Sequence, residues 1–588
     1  MAEEARETTI VADGMRIDWD IPIEMDDGIV LRADIYRPVE DGEYPVILTY
    51  GPYGKGLPFQ TGYPDQWRIM EREHPDVAAG STNKYQNWEV VDPEKWVPEG
   101  YACVRVDSRG TGRSPGYVDP FSSRETRDFY QCIEWAGTQP WSSGKVGLLG
   151  ISYYAINQWH VASLQPPHLT AMCPWEGAAD FYRDMARHGG ILCDFWGNWF
   201  KKQVMTVQHG LGERGPRDPN SGLLVAGPET FPVEELARNR TDMNAHTLAH
   251  PFDDDFYRRR SPDWSKITVP LLSAANWGGQ GLHPRGNFEG FVRPASEQKW
   301  LEAHGLEHWT HFYTDYGRTL QKRFFDYFLK GIDNGWPEQP AVQLQVRHLD
   351  GFVERHEHEW PLARTRWTRL YLDPASHALS RDEPATESSI EYDALSEGVT
   401  FRSAPLEQET EITGPLAAKL FVSSSTCDAD VFVTVRAFAP DGSEVDFQGA
   451  LDPHTPLAQG WLRASHRLLD PELSTEYRPY HTHTTPQPLV MGDVYELDVE
   501  IWPTSVVLPA GYRLALTIQG KDFERDVEGT QLESFVNPFR GSGPFTHTHP
   551  QDRPAEIFAG RQTLYAGGRH MAYLLVPIIP TRTDDTTR

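Results

Sequence analysis

Cysteine is scarce. The 588 residues include five, Cys103, Cys132, Cys173, Cys193 and Cys427, widely spaced, odd in number and without a CxxC pair. That excludes a disulfide-stapled scaffold and a zinc ribbon, and it fits a reducing compartment. Basic residues are in deficit as well: 55 Lys and Arg stand against 84 Asp and Glu, a formal net charge of −29. A field of that sign repels phosphate backbones and anionic lipid surfaces, so neither nucleic acid nor a membrane is expected as a partner. Long apolar runs are missing too. None approaches the ~18 residues of a membrane span, and the start, MAEEARETTIVADG, is acidic where a leader peptide carries a basic region and an apolar core. A cytoplasmic protein is expected. There is no internal repeat, and only the two ends read as soft.

What is present is core-forming material: 12% aromatic against 24% charged residues, too apolar a balance for disorder. The length asks for about two to four domains.

Ile29 to Pro38 alternates apolar and polar residues as a half-buried strand does, and Asp26-Asp27-Gly28 before it is a turn, so an antiparallel hairpin opens the fold. Pro45 to Tyr50, Tyr101 to Val106 and Val146 to Leu149 are short continuous apolar runs, the signature of parallel strands buried on both faces. Arg124 to Ala136 sets Phe129, Cys132, Ile133 and Ala136 on one helical face between the last two of these. Strand, helix, strand predicts a mainly parallel α/β sheet over residues 1–180. The rhythm breaks over 181–263, where Phe195, Trp196, Trp199 and Phe200 cluster, and the expectation is an inserted helical cap. The sheet resumes over 264–340, with Ile267 to Ala274 and Lys299 to Ala303 as strands. Over 341–588 short alternating strands take over, among them Leu344 to Arg347 and Tyr495 to Trp502, and predict a β-sandwich of jelly-roll type.

The segment with the most chemistry in it is Gly147-Leu148-Leu149-Gly150-Ile151-Ser152-Tyr153-Tyr154-Ala155, a buried strand that passes through Gly150-x-Ser152 straight into a helix. A nucleophile elbow needs this construction, because the tight turn exposes Oγ and admits only very small neighbours. The alternative is an ordinary helix N-cap serine. The trailing small residue, Ala155, falls one position later than usual.

With that elbow, Asp107-Ser108-Arg109-Gly110-Thr111-Gly112-Arg113-Ser114-Pro115-Gly116, Gly51 to Lys55 (GPYGK) and Gly460-Trp461-Leu462-Arg463-Ala464-Ser465-His466-Arg467 resemble the cocaine-esterase and X-prolyl dipeptidyl peptidase family of α/β-hydrolases, the CocE/NonD hydrolases. The resemblance spans nearly the whole chain. It implies an α/β-hydrolase domain with a cap, followed by a jelly roll; Ser152 as nucleophile; His308 as general base; and an oxyanion hole made by the Tyr53 hydroxyl and the Tyr153 backbone N–H. His304 and His311 flank His308 and stay open as the base. Losing one oxyanion donor typically costs about 10²- to 10³-fold in rate.

The acid departs from the family pattern. Many relatives carry an Asp two residues after a Trp, but here the run is Asn276-Trp277-Gly278-Gly279-Gln280, without a carboxylate. The loop after the preceding strand, Cys173-Pro174-Trp175-Glu176-Gly177, offers Glu176 instead; Asp180, Glu289 and Glu307 are alternatives, as is a triad without an acid.

The resemblance therefore implies a serine hydrolase that cleaves a carboxylic ester or amide of a small molecule through an acyl-enzyme, with no cofactor and no metal. An X-Pro dipeptidyl peptidase or α-amino-acid ester hydrolase is the rival within this chemistry, and a catalytically weakened ligand-binding scaffold is the rival outside it. The jelly-roll surface could support a homodimer. Three His-x-His pairs, His356/His358, His481/His483 and His547/His549, have no nearby Cys or third ligand in sequence and read as solvated or packing groups. Arg109 and Arg113 read as braces for the loops around the elbow, in a segment without the Walker ending.

Overall fold

The computed structural model describes residues 8–580; the first seven residues, part of the acidic start, and the last eight lie outside the described residues. Two sheets organise the chain. The first has 11 strands, and antiparallel pairings at its two ends enclose a run of parallel neighbours in its middle. Ala102–Asp107, Tyr44–Gly51, Ser142–Ile151, Leu169–Trp175, Leu271–Asn276 and Lys299–His304 lie side by side in that order, all parallel. Their side chains are buried almost without interruption, which is why they read as apolar runs rather than alternations. The predicted hairpin is present as Met15–Glu24 paired antiparallel with Val30–Pro38. Ser123–Gly137 is the crossover helix; Ser122 caps it by accepting from the Glu125 N–H, and Phe129, Cys132, Ile133 and Ala136 face inward.

One expectation needs correcting. Val342–His348 and Gly351–Glu357, assigned from sequence to the sandwich that was to begin at 341, extend the first sheet: Leu301 to Ala303 pair in parallel with Val342 to Leu344, and the second strand folds back antiparallel. Val342, Leu344 and Val346 pack on Trp277, Phe288 and Phe291. A strand near a sheet edge alternates just as a sandwich strand does, so period alone could not place it.

The second sheet, of 12 strands, runs from Arg366–Asp373 to Tyr573–Ile579 and forms the C-terminal β-sandwich. In Tyr495–Leu508 the predicted inward set Leu497, Val499 and Ile501 is fully buried against Leu416, Ala418 and Leu420 of the antiparallel Thr410–Ser424. Between the halves of the first sheet, 181–263 holds short helices, including Phe195–Trp199, Val233–Arg238 and Met243–Ala249, and the small hairpin Arg187–His188 with Ile191–Leu192. Among the described residues no helix is long and apolar enough to cross a membrane.

Candidate active site

In open parallel sheets, ligands bind beyond the carboxyl ends of the strands. Five adjacent strands end there in turn, and each hands a chemical group to the same place. Tyr44–Gly51 leads to Tyr53, Ser142–Ile151 to Ser152, Leu169–Trp175 to Glu176, and Lys299–His304 to His308 by way of a tight turn; Leu271–Asn276, between the last two, leads to His283.

Ser152 sits at φ 55°, ψ −112° between the strand and helix Tyr153–Ala162, a conformation that costs an L-residue about 1–3 kcal/mol. Its hydroxyl makes no cap hydrogen bond, so it is not the ordinary helix cap that sequence left open. Room for the turn comes from glycines: a Cβ on Gly150 would lie 2.4 Å from the Tyr154 Cβ, and one on Gly177 2.8 Å from the Ala155 Cβ. Ala155 thus fills the space a second elbow glycine would leave. As the first residue of the helix, Tyr153 has no intrahelical acceptor for its backbone N–H. Its hydroxyl is occupied with Glu125 Oε2 at 2.6 Å. The Tyr53 hydroxyl accepts from Trp199 Nε1 at 3.1 Å, which leaves its own proton to donate.

Glu176, at φ 51° and fully buried, is gripped on all sides. Oε2 accepts from His308 Nδ1 at 2.8 Å, while Oε1 accepts from His304 Nε2 at 3.0 Å and Asn276 Nδ2 at 3.2 Å. Burial pushes its carboxyl up, but the charges and hydrogen bonds of the two imidazoles outweigh that and bring it down to about 2. Asn276, at the end of the strand whose loop lacks a carboxylate, is therefore a donor to the carboxylate of the neighbouring strand. The other three candidates are engaged elsewhere: Asp180 caps the turn at Phe181 and pairs with Arg183, Glu289 pairs with Arg478, and Glu307 accepts from Thr310.

His308 is held at both nitrogens, because Nε2 faces Glu89 Oε1 at 3.0 Å. Burial lowers its pKa, but Glu176 and then Glu89 reverse this and raise it to about 9. Burial lifts Glu89 itself to about 7, partly offset by His308. No sequence signal pointed to Glu89, which lies 63 residues before the nucleophile in a loop without a motif; its φ of 64° and its carbonyl, which accepts from the Ile151 N–H at 3.0 Å, fix it beside the elbow.

The imidazole on the nucleophile is not that of His308. Ser152 Oγ meets His283 Nε2 at 3.1 Å, and the His283 ring lies flat on His308, centroids 4.6 Å apart and 8° from parallel. Burial, then the charge on His308, holds His283 well below the usual histidine pKa. Its Nδ1 is buried with no hydrogen-bond partner among the described residues. His304 bridges Glu176 and Glu302, and His311 stacks on His304, so neither flanking histidine faces the serine.

The sandwich helps to build the site. The His308 N–H donates to the Ala450 carbonyl at 2.8 Å, and the Ala450 N–H donates to the Gly278 carbonyl at 2.9 Å. Aromatic rings close the other side: Trp199 stacks on Tyr153 at 5.9 Å and meets Tyr53 edge-on at 6.4 Å. Arg109 pairs with Asp128 at 2.6 Å and Arg113 with Asp20 at 2.9 Å, bracing the adjoining loops.

A parallel α/β sheet with a strained serine between strand and helix, a histidine on its hydroxyl, and stacked on that a second histidine held by a buried carboxylate, defines an α/β-hydrolase with a nucleophilic serine. Comparison with known proteins gives the family. The X-Pro dipeptidyl-peptidase (S15 family) domain matches residues 27–313, and the X-Pro dipeptidyl-peptidase C-terminal non-catalytic domain matches 334–575. A CocE/NonD family hydrolase of Staphylococcus aureus is 32% identical, superposes with a TM-score of 0.83, and is covered to 98%, as is this chain. The cocaine esterase of Rhodococcus sp. is 24% identical over 95% of this chain and 98% of its own. A putative serine esterase of Mycobacterium bovis is 25% identical over 85% and 90%. The chain belongs to the CocE/NonD family and is a serine hydrolase.

Proposed function

We propose that the protein hydrolyses esters of small or aromatic carboxylic acids: Ser152 attacks the carbonyl, the oxyanion forms between the Tyr53 hydroxyl and the Tyr153 N–H, and water releases the acyl group. The observation that carries this reading is the strained Ser152 followed by Tyr153, with the Tyr53 ring 6.2 Å from that of Tyr153 and Trp199 against both tyrosines. The aromatic wall suits a flat acyl or leaving group. Turnover of phenyl acetate against a Gly-Pro anilide tests it. A preference for the anilide would favour a dipeptidyl peptidase, the activity named in the matching family.

For the proton, the His308–Glu176 pair is the proposed base. Its Nδ1 contact to a buried carboxylate is the arrangement that holds an imidazole in one tautomer and stabilises its charge. Catalytic hydrogen bonds are often loose before substrate binds, so the Glu89 contact at Nε2 does not remove it. The 3.1 Å contact favours a second reading in which His283 takes the proton. Acylation bursts of His308→Asn and His283→Asn separate the two: the base is the one whose loss abolishes the burst. The substrate is a small molecule rather than a polyanion, on the strength of the −29 charge, and free thiols throughout support a cytoplasmic setting.

A further inference from the structure

Away from the serine, the hairpin of the inserted segment meets the sandwich at three side chains that are far apart in sequence. His188 and Cys193 belong to the hairpin and the residue just after it; His547 comes from a loop of the C-terminal half. All three are buried, and one nitrogen or sulfur from each lies within 4.8 Å of the others.

Hydrogen bonds orient the cluster. His547 Nδ1 faces Asp522 Oδ1 at 2.7 Å, and the same carboxylate takes the His547 backbone N–H, which turns Nε2 toward His188. His188 Nε2 faces the Asp184 carbonyl at 3.2 Å. The two remaining nitrogens, His188 Nδ1 and His547 Nε2, point at each other at 2.9 Å with the Cys193 sulfur beside them.

We propose that His188 Nδ1, His547 Nε2 and Cys193 Sγ bind a divalent cation of the zinc class, which ties the inserted hairpin to the sandwich. Imidazole and thiolate suit such an ion, and the second contacts of the ligands are those metal-bound histidines make, one to a carboxylate and one to a backbone carbonyl. Nitrogens each ~2.0–2.1 Å from a tetrahedral zinc stand roughly 3.3 Å apart, so the pair has to open by only a few tenths of an ångström. Burial raises the Cys193 thiol, and a hydrogen bond from the Phe195 backbone N–H works against that rise. On binding, the S–H bond breaks, the sulfur becomes a metal thiolate, and the proton leaves to solvent. The place has a structural purpose: Arg187 pairs with Asp552 at 2.7 Å beside it, and Trp461 lies on His188 at 4.7 Å.

The test is full-length protein produced with cobalt or with zinc in the medium, followed by metal analysis and absorption spectroscopy. The expected result is one metal per chain, with a thiolate-to-cobalt charge-transfer band that is missing from Cys193→Ser. The active-site group Glu176, His283 and His308 contains no sulfur, so it cannot produce that band. Wild-type protein without bound metal, or with a cobalt spectrum lacking the thiolate band, overturns the proposal. His547→Gln serves if Cys193→Ser does not fold, and fluorophosphonate labelling of Ser152 reports that each variant is folded.

Discussion

Glu176 accepts from His308 Nδ1 at 2.8 Å across a strand that itself supplies no acid, since Leu271–Asn276 lies between the strands that carry the two residues. Asn276, at the end of that middle strand, donates to the same carboxylate. The acid thus comes from the strand beside the one whose loop, Trp277-Gly278-Gly279, carries no carboxylate.

Glu176→Gln removes the charge that orients two imidazoles. Ester turnover falls by about 10⁴-fold, the loss typical when a triad acid becomes an amide. Steady-state kinetics on a p-nitrophenyl ester measures it, and near-normal turnover contradicts the role.

The rate rises with pH as the proton leaves His308, so kcat/KM is half-maximal near pH 9 and levels off only above that. Glu89→Gln takes away the second carboxylate that holds that proton. The alkaline plateau of the variant moves to lower pH, and an unmoved profile shows that His308 is not the titrating group.

Stability follows the same groups. His308 is raised from 6.5 to about 9 in the folded chain, so its contribution is full below pH 6.5 and is lost as pH rises through about 9. Glu176 is lowered from 4.5 to about 2, so its contribution is present above pH 4.5 and is lost as pH falls through about 2. Thermal unfolding of wild type and Glu176→Gln across pH reads both limbs: the variant's deficit is widest between them.

Tyr53→Phe keeps the ring contacts with Tyr63 and Trp199 but loses the donor. A fall of about 10²- to 10³-fold in kcat is expected, with a lower Tm because the buried Trp199 Nε1 loses its acceptor.

Ser152→Gly and Ser152→Ala both abolish fluorophosphonate labelling, yet they differ in stability. Glycine relaxes the φ of 55° and alanine does not, so Ser152→Gly is the more stable of the two by about 1 kcal/mol, less the entropy glycine gains on unfolding. Denaturant midpoints compare them.

Local pattern reached far into this protein. The runs PVILTY and VGLL are strands because continuous apolar residues suit a sheet buried on both faces, and Gly150-x-Ser152 marks a turn only small residues permit. Leu497, Val499 and Ile501 face inward as their alternation requires. The same logic misassigned Val342–His348, because period 2 says which face is buried and not which sheet does the burying.

The sequence by itself determined the elements, the serine elbow and the family, since each rests on neighbours within about a dozen residues. The tertiary structure decided which side chains meet. It brought Glu89 onto His308, put His283 on Ser152 Oγ, seated the Ala450 carbonyl on the His308 N–H, and set His547 against His188 and Cys193. These contacts join residues up to several hundred positions apart. Which of them forms depends on where strands end in a sheet and how loops pack over those ends, and no local pattern encodes that.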